Sequence, residues 1–558
     1  MHSRIASAAL AVTLSVAALA ARRAEACGCF APPDPTVPIV QAGERILFAV
    51  ENGVVTAHIQ IQYAGDAKDF GWLLPLPSVP TLKLGTEELF TQLINTTQPR
   101  YFVRTTTNDA CGFRGGFAPT ASAGFDSGAV NESTGGGSPL VTQSSIGPYD
   151  YAVLRADSKD EMFNWLVNNH YFIPTGTDQT VGPYIRPGGY FLALKLKSGK
   201  SAGDIQPVVL TYPSALPMIP IILTSVAANP NMGIQVWMLG EGRAIPRNYN
   251  HVVINDAQID WLGQARNYND VVIRAVSEAP EKHAFVTEYA GTAGVMVGQL
   301  DGPGRFGSTA ELALQTGMSG FVRYLFEHGY TQPNTQGFFA PTLLPAVKNL
   351  VLASIPRPAA LAARGVSEDS FLASLDYYLG EYRAQHPEDF ATWEPAFDPQ
   401  ALAAQLQEKV VGPTLEAGAI FRKYRTLSRL YTTLSPEDMT RDPVFSFNPS
   451  LPEVSRDHTA ELRIECSLFN DFNSAPATLT TEQGWVFHLS NRTAAPQVAS
   501  GVPSALRIET LLEEGPAQVL TDNAQIIPRQ TGSGCSATGA APFALFAALG
   551  VLRRRRKL

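Results

Sequence analysis

Apolar and polar residues alternate along the first part of the chain. "RILFAV" (Arg45 to Val50) is followed by Glu51-Asn52-Gly53 and then by "VVTAHIQIQYAG". Asn-Gly between two such runs predicts a β-hairpin, because both residues tolerate a positive φ. In the second strand the polar residues Thr, His, Gln and Gln alternate with apolar ones, which predicts one buried face and one face in water. His58 falls on the polar face, so we interpret it as an ordinary strand residue.

More strand-like segments follow up to about residue 304. "GGYFLALKLK", "QPVVLTY", "IPIILTSVAA" and "GIQVWML" are short and are separated by Pro and Gly. This spacing predicts a mainly antiparallel, sandwich-like β region. Between them, residues 112–145 are rich in Gly, Ser, Ala and Thr, which predicts a flexible surface insertion.

From Ser308 the apolar period becomes helical. "STAELALQTGMSGFVRYLFEHGY" opens with a capping box, Ser308 and Glu311, and Gly329 is expected to end this helix. In "DPQALAAQLQEKVVG", Asp398 is the expected N-cap and Pro399 the first helical residue. "TLEAGAIFRKYRTLSRLYTTL" predicts a further helix, after which the strand-like "AELRIEC" and "QGWVFHLS" return.

The predicted fold class is therefore α+β. A mainly antiparallel β region is followed by a helical region and a short β return. The predicted domains are a signal peptide (1–26), a β-rich domain (27–304), a helical domain (305–445), a β return with linker (446–530) and a C-terminal tail (531–558).

The N-terminus has the three parts of a secretory signal. Arg4 supplies the positive charge, residues 5–21 are small and apolar, and residues 24–26 give a small-x-small cleavage pattern. We expect cleavage between Ala26 and Cys27. A lipoprotein signal, with Cys27 as the lipidated residue, and a buried N-terminal helix are the alternatives.

The C-terminus is an apolar run stopped by cations. Residues 537–552 as a helix would cover roughly 24 Å, which is short of the roughly 30 Å hydrocarbon core of a membrane. The cations of residues 553–557 would hold its end on the cytoplasmic side. The layout of Gly534, Cys535 and Ser536 before this run resembles a MYXO-CTERM sorting tail. The resemblance implies processing by a sorting protease, lipidation of Cys535 and display at the cell surface.

The charge of the chain argues against nucleic acid as a partner. The formal net charge is −8, while the signal contributes +2 and the tail +5, which leaves the body between them at −15. Nucleic-acid binding needs a basic surface. A body of this length also exceeds one ordinary core and predicts two or three domains.

Four cysteines remain if Cys535 belongs to sorting. An even number in an exported chain predicts two disulfides among Cys27, Cys29, Cys111 and Cys466. A bridge within Cys27-Gly28-Cys29 is awkward to close, so each of these two is expected to pair with Cys111 or Cys466. A metal site at Cys27 and Cys29, and a catalytic pair of Cys466 with His458, are the alternatives.

No motif predicts a catalytic, cofactor-binding or metal site. The sequence contains no His-Glu-x-x-His, no phosphate-binding P-loop and no EF-hand loop. The acidic pairs Glu388/Asp389 and Glu437/Asp438 follow prolines, where acids cap helices. The six tryptophans have mostly apolar neighbours, so we expect them in cores: Trp72, Trp165, Trp237, Trp261, Trp393 and Trp485.

Long segments of the chain resemble the bacterial family called domain of unknown function 2330. The segments are "CGCFAPP", "GERILFAVENGVVTAHIQIQYAGDAKDFGWLLPLPSVP", "GPYDYAVL" and "LYTTLSPEDMTRDPVFSFNP". The resemblance runs from about Cys27 to about Pro452. It implies an exported envelope protein and no particular activity, substrate or catalytic residue.

Together these features favour a non-enzymatic envelope protein. We expect it to be exported across the inner membrane, anchored at the cell surface or outer membrane through its tail or a lipid, and to bind or scaffold an extracellular ligand that the sequence does not identify. No cofactor is expected. The alternative is a secreted hydrolase acting on peptide or glycan polymers, which two converging carboxylates with a shifted pKa would favour.

Overall fold

A ten-stranded mixed sheet forms the centre of the fold. The computed structural model describes residues 43–61, 71–108, 139–171, 176–198, 205–333, 341–390, 397–467 and 469–524. The order of strands across the sheet is β22-β21-β12-β13-β16-β10-β1-β2-β9-β4. These strands are β1 (Glu44–Glu51), β2 (Val54–Ile61), β4 (Thr81–Leu84), β9 (Val208–Pro213), β10 (Met232–Gly240), β12 (Asn250–Ile254), β13 (Ala284–Thr292), β16 (Thr426–Leu434), β21 (Ala505–Thr510) and β22 (Gln518–Asp522).

Two four-stranded sheets and two short ladders complete the strands. The first sheet has the order β3-β8-β7-β6, with β3 (Gly71–Leu76), β6 (Leu140–Ile146), β7 (Tyr149–Arg155) and β8 (Tyr190–Leu196). The second has the order β20-β19-β18-β5, with β5 (Arg100–Thr107), β18 (Asp457–Ile464), β19 (Ala477–Thr480) and β20 (Val486–Leu489). The ladders join β11 (Arg243–Pro246) to β17 (Phe445–Asn448) and β14 (Thr331–Gln332) to β15 (Thr342–Leu343).

Helices lie mainly between β13 and β16. The helices are α1 (Glu87–Thr97), α2 (Lys159–Asn168), α3 (Thr177–Thr180), α4 (Ile221–Thr224), α5 (Tyr268–Ser277), α6 (Thr309–Leu312), α7 (Gly317–Glu327), α8 (Pro345–Ser354), α9 (Ala359–Ala363), α10 (Glu368–Ala373), α11 (Leu375–Tyr377), α12 (Arg383–Gln385), α13 (Pro399–Leu406) and α14 (Gly412–Ala419). Single π turns join α11 to α12 and α13 to α14. Strands and helices together confirm the predicted α+β class.

The β1–β2 hairpin forms as the sequence predicts. Asn52 and Gly53 have φ values of 52° and 75°, which a two-residue hairpin turn requires. Its strands pair antiparallel from Glu44 opposite Ile61 to Glu51 opposite Val54. On its other side β1 pairs with β10 in parallel, so the sheet is mixed.

The large sheet and the β3-β8-β7-β6 sheet pack face to face as a sandwich. Ile46, Phe48 and Val236 of the large sheet share one apolar core with Leu192 and Leu194 of β8. Burying the facing sides of both sheets removes their apolar surface from water, which drives the packing. The predicted sandwich-like β region is therefore present.

The opposite face of β2 is buried, so the expectation that it lies in water is wrong. Helix α1 covers this face and places Leu89, Phe90 and Leu93 in a second core. His58 and Gln60 are both buried. Burial lowers the pKa of His58 to about 4, which keeps its imidazole neutral. Gln60 accepts a hydrogen bond from Arg45 and donates one to Glu87, so protein groups and not water satisfy this polar side chain of the strand.

Two helix predictions are corrected by the structure. The segment that opens with Ser308 forms two helices, α6 ending at Leu312 and α7 beginning at Gly317, whose φ of +79° does not fit inside one continuous helix. In the segment predicted as one helix over 414–434, helix α14 ends at Ala419 and Thr426–Leu434 forms β16. Strand β16 is buried between β10 and β13, and this pairing with distant strands overrides the local pattern.

Predicted helix ends are confirmed where a specific side chain or glycine sets them. Ser308 accepts a hydrogen bond from Glu311 N, and Asp398 accepts from the N–H groups of Gln400 and Ala401. Gly329, with a φ of +83°, follows the last turn of α7. These contacts satisfy amide and carbonyl groups that a helix leaves unpaired at its ends.

Several predictions fall outside the described residues. These are the signal, the C-terminal tail and most of the predicted insertion at 112–145, of which residues 140–145 belong to β6. The division into separate domains remains a prediction. In the part of the chain that the structure describes, no helix combines the length and apolar character needed to cross a membrane.

Candidate functional site

Of the predicted site residues, only Cys466 lies in the described part of the chain. It follows β18, and its side chain is buried. Cys466 takes part in a disulfide. Asn108 fixes its backbone, since the amide donates to Cys466 O at 2.9 Å and accepts from Cys466 N at 3.1 Å. Ala26, Cys27, Cys29, Cys111 and Cys535 lie outside the described residues, so the pairing stays a prediction.

The structure does not bring Cys466 and His458 together. His458 lies at the start of β18, the strand spans roughly 20 Å from His458 to Ile464, and Cys466 lies two residues beyond its end. The His458 Nδ1 atom is 2.8 Å from Glu482 Oε2, and its ring stacks on Tyr101. A Cys–His catalytic pair needs hydrogen-bond contact, so this alternative is wrong.

The tryptophans lie mainly in cores, as expected. Trp237, Trp261 and Trp485 are buried, while Trp72 and Trp165 pack partly against apolar clusters. Trp393 lies outside the described residues. Within the described ranges, no group of three or more His, Cys, Asp or Glu side chains has the arrangement of a metal site.

A buried ion pair lies in the middle of the large sheet. Arg429 Nε on β16 donates to Glu288 Oε2 on β13 at 2.5 Å, and Arg429 Nη2 donates to Gln235 Oε1 on β10 at 2.9 Å. Tyr268 OH donates to the other Glu288 oxygen at 2.7 Å. The Arg429 guanidinium also lies over the Trp237 ring. Each Glu288 carboxylate oxygen thus accepts a hydrogen bond from a buried protein group, so we interpret these contacts as structural.

A second buried cluster resembles a catalytic histidine with its orienting carboxylate. His251 Nδ1 donates to Glu509 Oε1 at 2.9 Å, because His251 Nε2 accepts from Thr287 N at 3.3 Å and faces Arg243 Nη2 at 3.2 Å. Burial is the main cause that lowers the pKa of His251. Since Nε2 is occupied by protein donors, it is not directed at a substrate, and the cluster does not form a general base.

Two carboxyl groups with raised pKa values lie near one another. Burial is the main cause that raises the pKa of Glu44 to about 7, and the charge of Asp442 raises this pKa further. The Thr224 hydroxyl lowers it, because it donates a hydrogen bond to Glu44 Oε1 at 3.0 Å. Burial also raises the pKa of Asp442, which accepts from Tyr184 OH at 2.9 Å and from Ile222 N at 3.1 Å. Groups of this kind serve acid–base chemistry when a cleft reaches them.

The described surface has a pocket of about 590 Å³ near the β22 edge of the large sheet. Its walls are helix α5, the loop 498–504 and the ends of β21 and β22. Neither Glu44 nor Asp442 lines it. Polar groups such as Thr521 and Asn523 alternate with the apolar side chains of Val498 and Val502. The pocket is therefore suited to a ligand that has both polar and apolar groups.

Arg274 of α5 and Glu278, which directly follows this helix, hold the loop that forms the pocket. The Glu278 carboxylate accepts from Ser504 N at 2.7 Å and from Ala505 N at 3.0 Å. Arg274 Nε donates to Ser504 Oγ at 3.1 Å, and Gln258 Nε2 donates to Val502 O at 2.7 Å. These bonds join groups of the protein to one another, so the protein itself holds the loop that forms this wall of the pocket.

No sequence signal pointed to this pocket. Its walls come from segments around residues 258–278, 498–504 and 508–523, which the β12–β21 pairing brings together. Each segment alone shows only an amphipathic helix, a Gly/Pro-containing loop or a short strand. The pocket depends on pairing between strands about 250 residues apart, which periodicity does not reveal.

Comparison with known proteins gives one match. The family model described as "Uncharacterized protein conserved in bacteria (DUF2330)" matches residues 22–301, which is half of the chain. The match ends at residue 301, short of the Pro452 to which the resemblance extends in the sequence. No curated protein and no solved structure matches the chain. The chain thus belongs to the DUF2330 family of uncharacterized proteins conserved in bacteria.

Proposed function

We propose that this protein is exported, anchored at the cell surface, and binds an extracellular ligand without changing it chemically. The observation on which the proposal depends is the pocket beside β22. Its charged residues Arg274 and Glu278 bind the loop around Ser504 and so shape the walls. A hydrolase would need an acid or base directed into the cavity, and the nearest charged groups already have partners in the loop.

The export part of the proposal is supported by the two termini. The signal pattern ends at Ala26, and the tail after Cys535 has the layout of a sorting signal. After sorting, the chain would be held in the membrane through a lipid on Cys535, or through the apolar tail if processing does not occur. Exposure to an oxidising compartment agrees with two disulfides among Cys27, Cys29, Cys111 and Cys466.

Intact mass with terminal peptide mapping tests export and anchoring. Protein purified from native envelopes should begin at Cys27 and end near Cys535 with added lipid. Its mass before reduction should be lower than its mass after reduction by four hydrogens, because two disulfides hold four cysteines. A chain that still ends at Leu558 would overturn sorting to the surface. A chain that still begins at Met1 would overturn export by a cleaved signal.

A pocket-filling variant tests binding. Ser500 is exposed in the loop that lines the pocket, so Ser500→Trp should fill the cavity without entering the core. The matched control is Leu314→Trp, at an exposed position between α6 and α7. Isolated envelopes of the producing bacterium are the probe in a sedimentation assay. Binding should fall for Ser500→Trp and not for the control, and equal binding by both variants would overturn the pocket assignment.

A secreted hydrolase is the second candidate function. The observation that favours it is the raised pKa of about 7 at Glu44, close to Asp442, because a carboxyl group protonated near neutral pH can act as a general acid. The test is release of soluble products from peptidoglycan and from casein. Product release that is lost in Glu44→Gln would favour the hydrolase and overturn the non-enzymatic proposal.

A further inference from the structure

The pocket beside β22 contains an arginine whose guanidinium is only partly engaged by the protein. Arg274 Nε donates to Ser504 Oγ at 3.1 Å. Among the residues that the structure describes, no group accepts a hydrogen bond from Arg274 Nη1 or Nη2, and no carboxylate forms an ion pair with them. The side chain is exposed and lines the cavity, so these two nitrogens are accessible to a ligand.

The carboxylate of Glu278 is directed at the loop and not at Arg274. One of its oxygens accepts from Ser504 N at 2.7 Å and the other from Ala505 N at 3.0 Å. The body of the chain is acidic overall, but charges more than about 8 Å away are largely screened at physiological salt. A ligand at the outer edge of Arg274 therefore meets N–H donors and a positive charge.

The outer edge of a guanidinium suits a carboxylate in both charge and shape. Its planar fork presents two N–H donors that match the two oxygens of a carboxylate, and such charge-assisted pairs are the stronger hydrogen bonds. The Thr521 hydroxyl lines the same cavity and is a further donor, since no described protein group accepts from it. The donors of the pocket thus favour a ligand that carries a carboxylate.

Two amide side chains supply hydrogen-bond acceptors to the same cavity. Gln258 Nε2 donates to Val502 O at 2.7 Å, and Asn523 Nδ2 donates to Ala505 O at 2.9 Å. These bonds orient both amides, and within the described ranges no protein group donates to Gln258 Oε1 or Asn523 Oδ1. Carbonyl oxygens of this kind accept from N–H groups, which a peptide presents along its backbone.

Aliphatic side chains form the remaining wall of the cavity. Val498, Val502 and Ile508 line it, and Ile508 is buried. An aliphatic group of a ligand that packs against them leaves water, which favours binding. The cavity volume of about 590 Å³ lies within the roughly 300–1,000 Å³ of small-molecule sites, so it suits a ligand of a few residues.

We propose that the pocket binds the C-terminal end of a peptide, with the free carboxylate on the Arg274 guanidinium and an aliphatic side chain against Val498 and Val502. A terminal residue combines the three chemistries that the walls call for: a carboxylate for the donors, N–H groups for the acceptors and an aliphatic group for the apolar wall. This ligand class rests on the proposed function, which makes the cavity a binding site. Because Arg274 is exposed, water weakens the contact, and a dipeptide should bind with a dissociation constant on the order of millimolar.

Saturation-transfer NMR on the purified full-length chain tests the ligand class. The probes are N-acetyl-alanyl-valine and its C-terminal amide, which differ only at the terminal carboxylate. The acid should bind on the order of tenfold more tightly, with the strongest saturation at the valine methyl groups. Octanoate, which has a carboxylate and an aliphatic chain but no amide, should bind more weakly than the acid. Equal binding of acid and amide overturns the carboxylate contact, and octanoate that binds as tightly as the acid overturns the peptide.

Variants separate binding by Arg274 from its support of the loop. Arg274→Gln removes the charge and the fork, so the preference for the acid over the amide should disappear. Ser504→Ala removes the acceptor of Arg274 Nε and leaves the guanidinium, so the preference should remain. The matched control is Arg104→Gln, at an exposed arginine of β5 outside the pocket, which should behave as wild type. A preference that survives Arg274→Gln, or that Ser504→Ala abolishes equally, overturns the role of Arg274.

Failure of the ligand class can be distinguished from failure of the proposed function. Ser500→Trp should abolish binding of the acid probe, and a probe that still binds this variant overturns the pocket as its site. If Ser500→Trp lowers binding to envelopes while acid and amide bind alike, the pocket stands and the peptide carboxylate does not. If envelopes bind Ser500→Trp and wild type equally, the pocket assignment itself is overturned, and the ligand class with it.

Discussion

Breaking the ion pair between Arg429 and Glu288 by removing one partner should destabilise the folded state by several kcal/mol. Both side chains are almost completely buried, at 2% and 0% exposed. Arg429→Met removes the cation and leaves the Glu288 carboxylate with Tyr268 as its remaining donor among the contacts described. Removing one partner of a buried pair typically costs about 3–5 kcal/mol, because the other charge stays buried without compensation. Arg429→Met should lower the free energy of unfolding by about that amount.

Replacing both charges should restore much of this loss. Arg429→Met with Glu288→Leu leaves no buried charge, and such apolar replacements are often neutral or stabilising. The Tyr268 hydroxyl loses its acceptor in the double variant, which costs about 1–3 kcal/mol. The loss of unfolding free energy in the double variant should therefore be smaller, by at least about 2 kcal/mol, than the losses of the two single variants added together.

Urea unfolding, followed by circular dichroism and tryptophan fluorescence, measures these differences. The matched control is the exposed pair of Arg441 with Glu281, whose atoms are 2.8 Å apart and whose side chains are 49% and 64% exposed. Arg441→Met should cost less than about 1 kcal/mol, because water screens the charge that remains. The reasoning is refuted if Arg429→Met costs no more than the control, or if the double variant loses the full sum of the single costs.

Three more predictions test other parts of the molecule. Because the pKa of Glu44 is raised from 4.5 to about 7, folding favours its protonated form, and the free energy of unfolding should fall as pH rises from about 4.5 to about 7. In urea titrations at pH 5 and pH 8, Glu44→Gln should remove this pH dependence. Glu278→Ala should release the N–H groups of Ser504 and Ala505 and speed their amide hydrogen exchange, whereas unchanged exchange would contradict the role of Glu278 in holding the loop. Residues 303–412 contain most of a separate apolar core, so this segment expressed alone should show helical circular dichroism and one cooperative thermal transition, and a non-cooperative melt would contradict its independence.

Local features of the fold could be predicted because short contacts determine them. Asn52-Gly53 specifies a hairpin through its backbone preferences. Ser308 and Asp398 specify helix starts through bonds to amides two or three residues away. In each case the chemistry that decides the structure lies within a few residues of the sequence that shows it.

Features that depend on distant pairing could not be predicted. The segment that becomes β16 contains apolar residues that fit both a buried strand and a helix, and its neighbours β10 and β13 decide between them. His58 and Gln60 looked solvent-exposed because no local signal shows that α1 covers them. The pocket was missed for the same reason, since its walls meet only after the β12–β21 pairing has formed.

The position of β16 also shows that the family match and the folded sheet have different extents. The match ends at residue 301, yet β16 lies between two matched strands, β10 and β13. Without β16 both of these strands would have an unpaired edge in the centre of the sheet, and the buried Glu288 would lack Arg429. The sheet of this chain therefore includes three strands beyond the match, β16, β21 and β22, and extends to Asp522. The segment "LYTTLSPEDMTRDPVFSFNP" begins at Leu430 within β16, so its resemblance to the family lies at the strand that completes the sheet.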